Sequence, residues 1–287
     1  MVFPNRRRST DPSRVQRAKL IRDLRYELVP MKGVEAAVAA LPAGSEVSVT
    51  CSPIKGIDAT LDLCAELAAT GHAPVPHLAG RMVESHDHFR RIVQRLEASE
   101  ITSVFVIAGD AAEPLGPFFD SMQLLESLVE TAPRLRSIGF AGYPDGHPLI
   151  PLETVHEAIH RKHALVAEAG IDGYVCTQMC LSPDTIRTWV ELERDHGMDL
   201  PIHLGIPGVI DRARLLSMGL RLGVGSSLRY LKKNRTSLRR LLSTRGYTPD
   251  QLLLPLSGDF EELGIAALHV FTFNQVSATA QWQRSVS

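Results

Sequence analysis

The feature that most limits what this chain can fold into is an alternation. Short runs rich in β-branched and aromatic residues recur eight times: "RYELVP" (25–30), "EVSVTC" (46–51), "APVPHL" (73–78), "SVFVIAGD" (103–110), "SIGFAGYP" (137–144), "GYVCTQ" (173–178), "LPIHLGIPG" (200–208) and "LHVFTFN" (268–274). Between them lie segments of helical periodicity. Leu61, Cys64, Ala65 and Leu67 share a face in "DATLDLCAELAAT", as do Phe89, Ile92, Val93 and Leu96 in "HDHFRRIVQRLEAS". Eight strand and helix units with no linker or compositional break favour a closed (β/α)8 TIM barrel, a single α/β domain, over an open doubly wound sheet. The interval 209–267 is too long for one helix, so extra helices are expected between strands seven and eight, in "DRARLLSMGL", "SSLRYLKKNRTSLRRLLSTR" and "TPDQLLLPL". The expected organisation is a polar N-terminal arm (1–20), the barrel (21–275) and a C-terminal tail (276–287).

Composition narrows the function classes. A 287-residue chain that is 44% hydrophobic and 22% charged has the make-up of a soluble globular protein. Its net charge of -1 gives no global reason to expect nucleic acid or an anionic membrane as partner. No stretch approaches the roughly 18 apolar residues of a membrane span, and Arg6, Arg7 and Arg8 are not followed by the apolar segment of a secretory signal. Four cysteines (Cys51, Cys64, Cys176, Cys180) fit reduced thiols in a cytoplasmic protein better than a disulfide framework. Gly223 and Gly225 do not follow a strand, so there is no Rossmann fingerprint. Arg212 to Arg245 holds ten Lys or Arg and no acid: either solvated helix faces, or a landing surface for a polyglutamate tail or cofactor phosphates.

In a (β/α)8 barrel the chemistry sits at the carboxyl ends of the strands, which share one mouth. The polar residues expected there are Glu27, Thr50, His77, Asp110, Tyr143, Asp145, His147, Gln178, Asn274 and Gln275. Glu27, between Tyr26 and Leu28, is read as pointing into the mouth from apolar surroundings, where desolvation suits a carboxyl to donate a proton. Asp110 follows Gly109, which lets the backbone turn; the carboxylate either projects into the mouth or caps the next helix. His77 is a ligand or a structural histidine. Gln178 presents a donor and an acceptor together, suiting a heterocyclic amide edge. "AGYPDGHP" is a rigid turn whose place at a strand end argues for a site loop.

"VHEAIHRKH" (155–163) contains His156, Glu157 and His160 in the H-E-x-x-H spacing of zinc peptidases, in which histidines four apart on one helix grip a metal. Here Val155, Ala158, Ile159, Val166 and Ala169 form the barrel-facing stripe, leaving His156, His160 and His163 on a flank away from the mouth. With no third ligand apparent, a zinc peptidase is not expected.

Taken together, "YELVP", "VSVTC", "PHL", "AGD", "AGYPDGHP", "AGIDGYVCTQ", "PIHLGIPGV" and "FTFN" resemble the methylenetetrahydrofolate reductase family, over residues 24 to 275. The resemblance implies a (β/α)8 barrel that reduces 5,10-methylenetetrahydrofolate to 5-methyltetrahydrofolate. Glu27 then matches the catalytic acid, Asp110 the carboxylate that steadies the cation and the pterin, and Gln178 the pterin-binding glutamine. Phe273 and Asn274 fall in the family's strand-eight substrate motif. Thr50, His77, Gly109, Tyr143 and His147 are expected to line the cofactor side.

The departures from the family concern its flavin. Typical members bind FAD and carry an arginine before the strand-four glycine, a lysine about a turn before the Ala-Gly of strand six, and an arginine closing the strand-eight motif. This chain has Ala108, the residues "LVAE" before Ala169, and Gln275; its nearest basic pair, Arg161 and Lys162, lies about two turns earlier. Charge-assisted contacts to phosphate are costly to lose. NADH or NADPH is therefore expected to give hydride directly to the folate, with no nucleic acid or membrane partner and homo-oligomerisation open. The other readings are an FAD-dependent reductase, a pterin-dependent methyl transferase and a non-catalytic folate-binding barrel.

Overall fold

A computed structural model describes residues 11–211, 215, 217 and 247–286 of the chain. Eight parallel strands form a closed barrel in sequence order. They are β1 (Arg25–Leu28), β2 (Glu46–Val49), β3 (Ala73–Ala79), β4 (Ser103–Ile107), β5 (Ser137–Gly142), β6 (Asp172–Thr177), β7 (Ile202–Pro207) and β8 (Ile265–Phe271). The open-sheet alternative is excluded by closure: β8 pairs with β1, with Arg25 opposite His269 and Glu27 opposite Phe271.

The helices outside the barrel are α1 (Pro12–Arg22), α2 (Val34–Val38), α3 (Gly56–Ala69), α4 (His86–Ala98), α5 (Ser121–Thr131), α6 (Leu152–Glu168), α7 (Pro183–Asp195), α8 (Asp250–Leu256) and α9 (Val276–Val286). Their starts obey the local chemistry of helix ends. Ser85 and Asp120 accept hydrogen bonds from the first free N–H groups of α4 and α5, and Ser182 caps α7 with Pro183 behind it. The extra helix expected in "TPDQLLLPL" is α8. The other two, and the basic stretch 212–245, fall almost wholly outside the described residues. No described helix is long and apolar enough to cross a membrane.

Both ends of the chain differ from expectation. Residues 12–20, expected as part of a polar arm, belong to α1, whose Leu20 and Ile21 are buried, and residues 276–286, expected as a tail, form α9. A polar tie explains why. The Tyr26 hydroxyl, on the outward face of β1, donates to Gln283 Oε1 at 2.7 Å, and Gln283 Nε2 donates to the Ile21 and Arg22 carbonyls at 3.0 and 2.9 Å. One glutamine thus satisfies the last turn of α1, whose carbonyls lack intrahelical partners.

Side chains alternate across each strand. Outward residues such as Leu28, Val49, Val106, Phe140, Leu204 and Val270 are at most 1% exposed and pack against the helices, each contributing about 1.5–3 kcal/mol by burial. The inward set is different. Arg25, Glu27, Ser48, His77, His203 and His269 come from β1, β2, β3, β7 and β8, making the barrel axis polar where such barrels usually carry branched apolar layers.

Candidate active site

The axis is built in tiers. At the amino ends, Arg25 Nη1 bonds the His203 ring at 2.7 Å and pairs with Glu46 at 3.0 Å, while the Tyr174 ring stacks on His203 at 3.9 Å. Gly139 makes room for that tyrosine: a Cβ there would collide with the phenol ring. A cavity of about 560 Å³ opens at this end, lined by Arg25, Glu46, Tyr174 and His203 among others. It lies opposite the βα loops, at the end of such barrels that serves stability.

The next tier holds Glu27. Its carboxylate is buried and hydrogen-bonded to His269 Nε2 at 3.0 Å. The sequence expectation of apolar surroundings is corrected, because Glu27 sits among imidazoles. Burial alone would lower the His269 pKa; the Cys176 thiol and Glu27 outweigh it and hold it up at about 10. His77, which shares this tier with Glu27 and His269, is pushed down to about 4 by burial, offset in part by Glu27. His203 is pushed down by burial and by Arg25. One imidazole of the three is therefore held protonated, the one that touches the carboxylate. His77 packs on Phe105 at 4.6 Å, and its buried Nε2 has no hydrogen-bond partner among the described residues. It joins the site as an imidazole held toward its neutral form, with one ring nitrogen free to hydrogen-bond a ligand.

At the rim, Gly109 has φ 91°, and a Cβ there would press on Ala79 at 2.8 Å, so the turn that releases Asp110 requires glycine. Asp110 does not cap a helix, since Asp120 caps α5. It is exposed, near enough to Tyr143 and His147 to bias both: burial raises the Tyr143 pKa and Asp110 adds to it, while burial lowers that of His147 and Asp110 opposes. The Tyr143 and His147 rings meet edge to face at 4.9 Å, and His147 Nδ1 accepts from the backbone N–H of Leu149 and Ile150 at 3.2 and 3.1 Å. That ring folds the loop after β5 and brings Leu149 to the surface, 87% exposed. Met31, Ile54, Leu115, Phe119 and Ile150 are also exposed, all in loops that follow strands. Exposed apolar groups gathered on one face mark a binding surface.

Beside the mouth, Gln178 Oε1 accepts from Met179 N at 2.9 Å, leaving its amide N–H groups as donors. Phe273 and Asn274 lie past the end of β8, in left-handed conformations at φ 50° and 61°. Such paired strain in non-glycine residues needs support. Asn274 provides it, since Oδ1 accepts from Val29 N and Nδ2 donates to Val29 O, both at 2.9 Å. Thr272 adds a bond from its hydroxyl to the Glu27 carbonyl at 2.5 Å. The strand-eight motif thus fixes the backbone that carries Glu27. Thr50 lies at the end of β2, its carbonyl taken by Thr60 at 2.9 Å.

Sequence reasoning missed His269, Cys176 and His203. The signal was present: in "LHVFTFN" and "GYVCTQ", period-two alternation puts His269 and Cys176 on the inward face.

A sequence profile of the methylenetetrahydrofolate reductase family matches residues 37–218, more than half of the chain. The chain belongs to that family. The family places it among folate-related oxidoreductases. Asp110, Gln178, His77, Tyr143 and His147 lie inside the matched span; Glu27, His269, Phe273 and Asn274 lie outside it and join the same barrel axis through the β1 to β8 closure. Among solved structures, a putative lyase/mutase from Burkholderia cenocepacia J2315 aligns at 12% identity over 96% of this chain and 85% of that one, with a TM-score of 0.43. At that similarity it bears on neither fold nor chemistry.

Proposed function

We propose that this family member reduces 5,10-methylenetetrahydrofolate to 5-methyltetrahydrofolate with hydride taken directly from NADH or NADPH. The observation that carries the reading is the Glu27 and His269 pair on the barrel axis. Opening the imidazolidine ring breaks a C–N bond whose electron pair needs a proton, and the remaining iminium carbon then accepts hydride. One proton and one hydride are consumed, and the nucleotide leaves oxidised. The pair stores that proton in a buried position, and Glu27 is the group that hands it to the folate nitrogen. His269 is a positioning residue, aligning the carboxylate and restoring its proton.

Asp110 is the exposed carboxylate suited to the guanidine-like edge of the pterin and to the cation, and Gln178 offers amide donors to the same heterocycle. The apolar rim of Ile54, Leu115, Phe119 and Leu149 suits the aromatic faces of folate and nicotinamide.

FAD does not fit the charges of this mouth. Ala108 and Gln275 carry none, and Lys162 is committed elsewhere. It is buried against the barrel wall, its ammonium 5.7 Å from the Phe140 ring and its pKa lowered to about 8 by burial. Protein purified under native conditions should therefore be colourless and oxidise NAD(P)H only when methylenetetrahydrofolate is added. Stoichiometric FAD, with activity lost on stripping it, would overturn direct transfer. Absence of any nucleotide oxidation by folded protein would overturn the reductase reading itself.

A further inference from the structure

The H-E-x-x-H segment acquires in three dimensions what it lacked in sequence. His156 and His160, one turn apart on α6, both reach a single carboxylate oxygen on α7. His156 Nδ1 lies 2.9 Å and His160 Nε2 3.1 Å from Glu193 Oε2. Glu193 is 1% exposed, whereas the two imidazoles are 23% and 24% exposed. A fourth group closes the cluster. The His196 ring lies 4.6 Å from that of His156 and 6.4 Å from that of His160.

We propose that His156, His160 and Glu193, with His196 as fourth ligand, form a binding site for a borderline divalent transition cation, zinc foremost, that staples α6 to α7. The donor atoms of the first three lie within 4.8 Å of one another. Around a tetrahedral zinc with bonds of about 2.0–2.1 Å, neighbouring donors stand about 3.3 Å apart, so the two edges from Glu193, at 2.9 and 3.1 Å, need to open by only a few tenths of an ångström, while the exposed His196 ring must turn in to complete the set. His196 Nδ1 bonds the Leu192 carbonyl at 2.7 Å. That bond places the proton on Nδ1 and leaves the Nε2 lone pair for a ligand, the arrangement that metal-bound histidines commonly adopt. Three imidazoles and one carboxylate suit zinc, nickel or cobalt rather than magnesium or calcium, which prefer all-oxygen sets. The burial pattern agrees, with the carboxylate at the base and the partly exposed rings at the entrance.

The site is not that of a peptidase. Glu157, which such an enzyme would use to polarise water, is exposed and outside the cluster. Residues of both helices close the site, so the cation's effect should be on stability.

The test uses the full-length chain, freed of any affinity tag, stripped with a chelator and dialysed. Zinc chloride titrated by calorimetry should bind at one ion per chain and raise Tm, by about 5 °C at a hundredfold excess over Kd. The double variant His156→Gln, His160→Gln should lose both effects while keeping the circular dichroism of the parent. The single variant His196→Ala, at an exposed position, should weaken binding about tenfold or more. Cobalt(II) added to the stripped parent should give visible ligand-field bands of a nitrogen and oxygen site, a readout that needs no variant to fold. A parent that shows no saturable zinc binding and no such bands, or a folded double variant that binds as the parent does, overturns the proposal.

Discussion

Glu27 and Glu193 are both buried carboxylates that bind histidine, one on the barrel axis and the other between two outer helices. Their contacts are nearly identical in length, 3.0 Å to His269 inside and 2.9 and 3.1 Å to His156 and His160 outside. Their surroundings are not. On the axis the His269 side chain is 6% exposed, and the imidazoles of its neighbours His77 and His203 are driven neutral, so the proton stays with the pair. On the outer face the histidine rings keep about a quarter of their surface in water. On the roles proposed above, the same chemical pair serves as a proton store where solvent is shut out and as a set of metal donors where an ion can enter. Dielectric and access decide the role, since burial strengthens an electrostatic contact while removing routes to exchange it.

The comparison breaks first at Glu27. Glu27→Gln keeps the shape and a hydrogen bond to His269 but cannot deliver a proton, and general acid catalysis contributes about 10²–10⁴ in rate. We expect kcat for NAD(P)H oxidation to fall by that factor, and Tm to fall as well, because the variant removes the charge that faces the buried His269. A normal rate in this variant would move the proton donor elsewhere and leave the inner pair a structural feature.

His269→Gln comes next. A hydrogen bond to a charged group is worth about 1.5–3 kcal/mol, so kcat should drop about 10- to 100-fold and its pH profile should shift. Stability gives an independent readout. The folded pKa of His269, about 10, lies above its ordinary 6.5, so its contribution is fully present below 6.5 and is lost as pH rises through 10. His77 has the opposite sign. Its folded value, about 4, lies below 6.5, so its contribution is present above 6.5 and is lost as pH falls through 4. The parent's Tm should thus peak near pH 6.5 and fall on both sides of it, and His269→Gln should flatten the alkaline side alone. An unchanged alkaline slope would show that His269 is not the group holding the proton.

How far these roles could be read from sequence depends on the range of the interaction involved. The strands were legible because β-branched runs and helical periodicity are local, and so were Gly109 and Asp110, which sit together at a strand end. Whether the sheet closes is set by the pairing of Arg25 with His269 across the whole chain. Helix α1 escaped because only Leu20 and Ile21 are buried at its end, and α9 because its tie to β1 runs through a polar pair, Tyr26 and Gln283. Lys162 completes the buried stripe of α6 with Val155, Ile159 and Val166, although a lysine there reads as a surface residue. The carboxylate that joins His156 and His160 lies more than thirty residues away on the next helix, beyond any spacing rule.

Asp110→Asn should act more weakly than either change on the axis. Asp110 is exposed and makes no side-chain hydrogen bond among the described residues, so water screens its field. Removing the charge is expected to raise KM for the folate about tenfold and to leave Tm unchanged, a split seen by steady-state kinetics beside thermal unfolding. An unaltered KM would place the pterin away from this loop.

The smallest effect on turnover belongs to Glu193→Gln. The amide preserves the volume and can still accept from one histidine and donate to the other, so the outer cluster loses its charge and keeps its shape. Hydrogen bonds to a buried carboxylate are stronger than those to an amide. The metal-free variant should therefore melt a few degrees below the parent, at about 2–4 °C per kcal/mol for a chain of this size. Turnover should stay within about twofold, because Glu193 lies on α7 outside the barrel while the proposed chemistry runs through Glu27 on its axis. A kcat that fell in step with that of Glu27→Gln would mean the two pairs are coupled through the barrel wall, and the division of roles between inside and outside would be wrong.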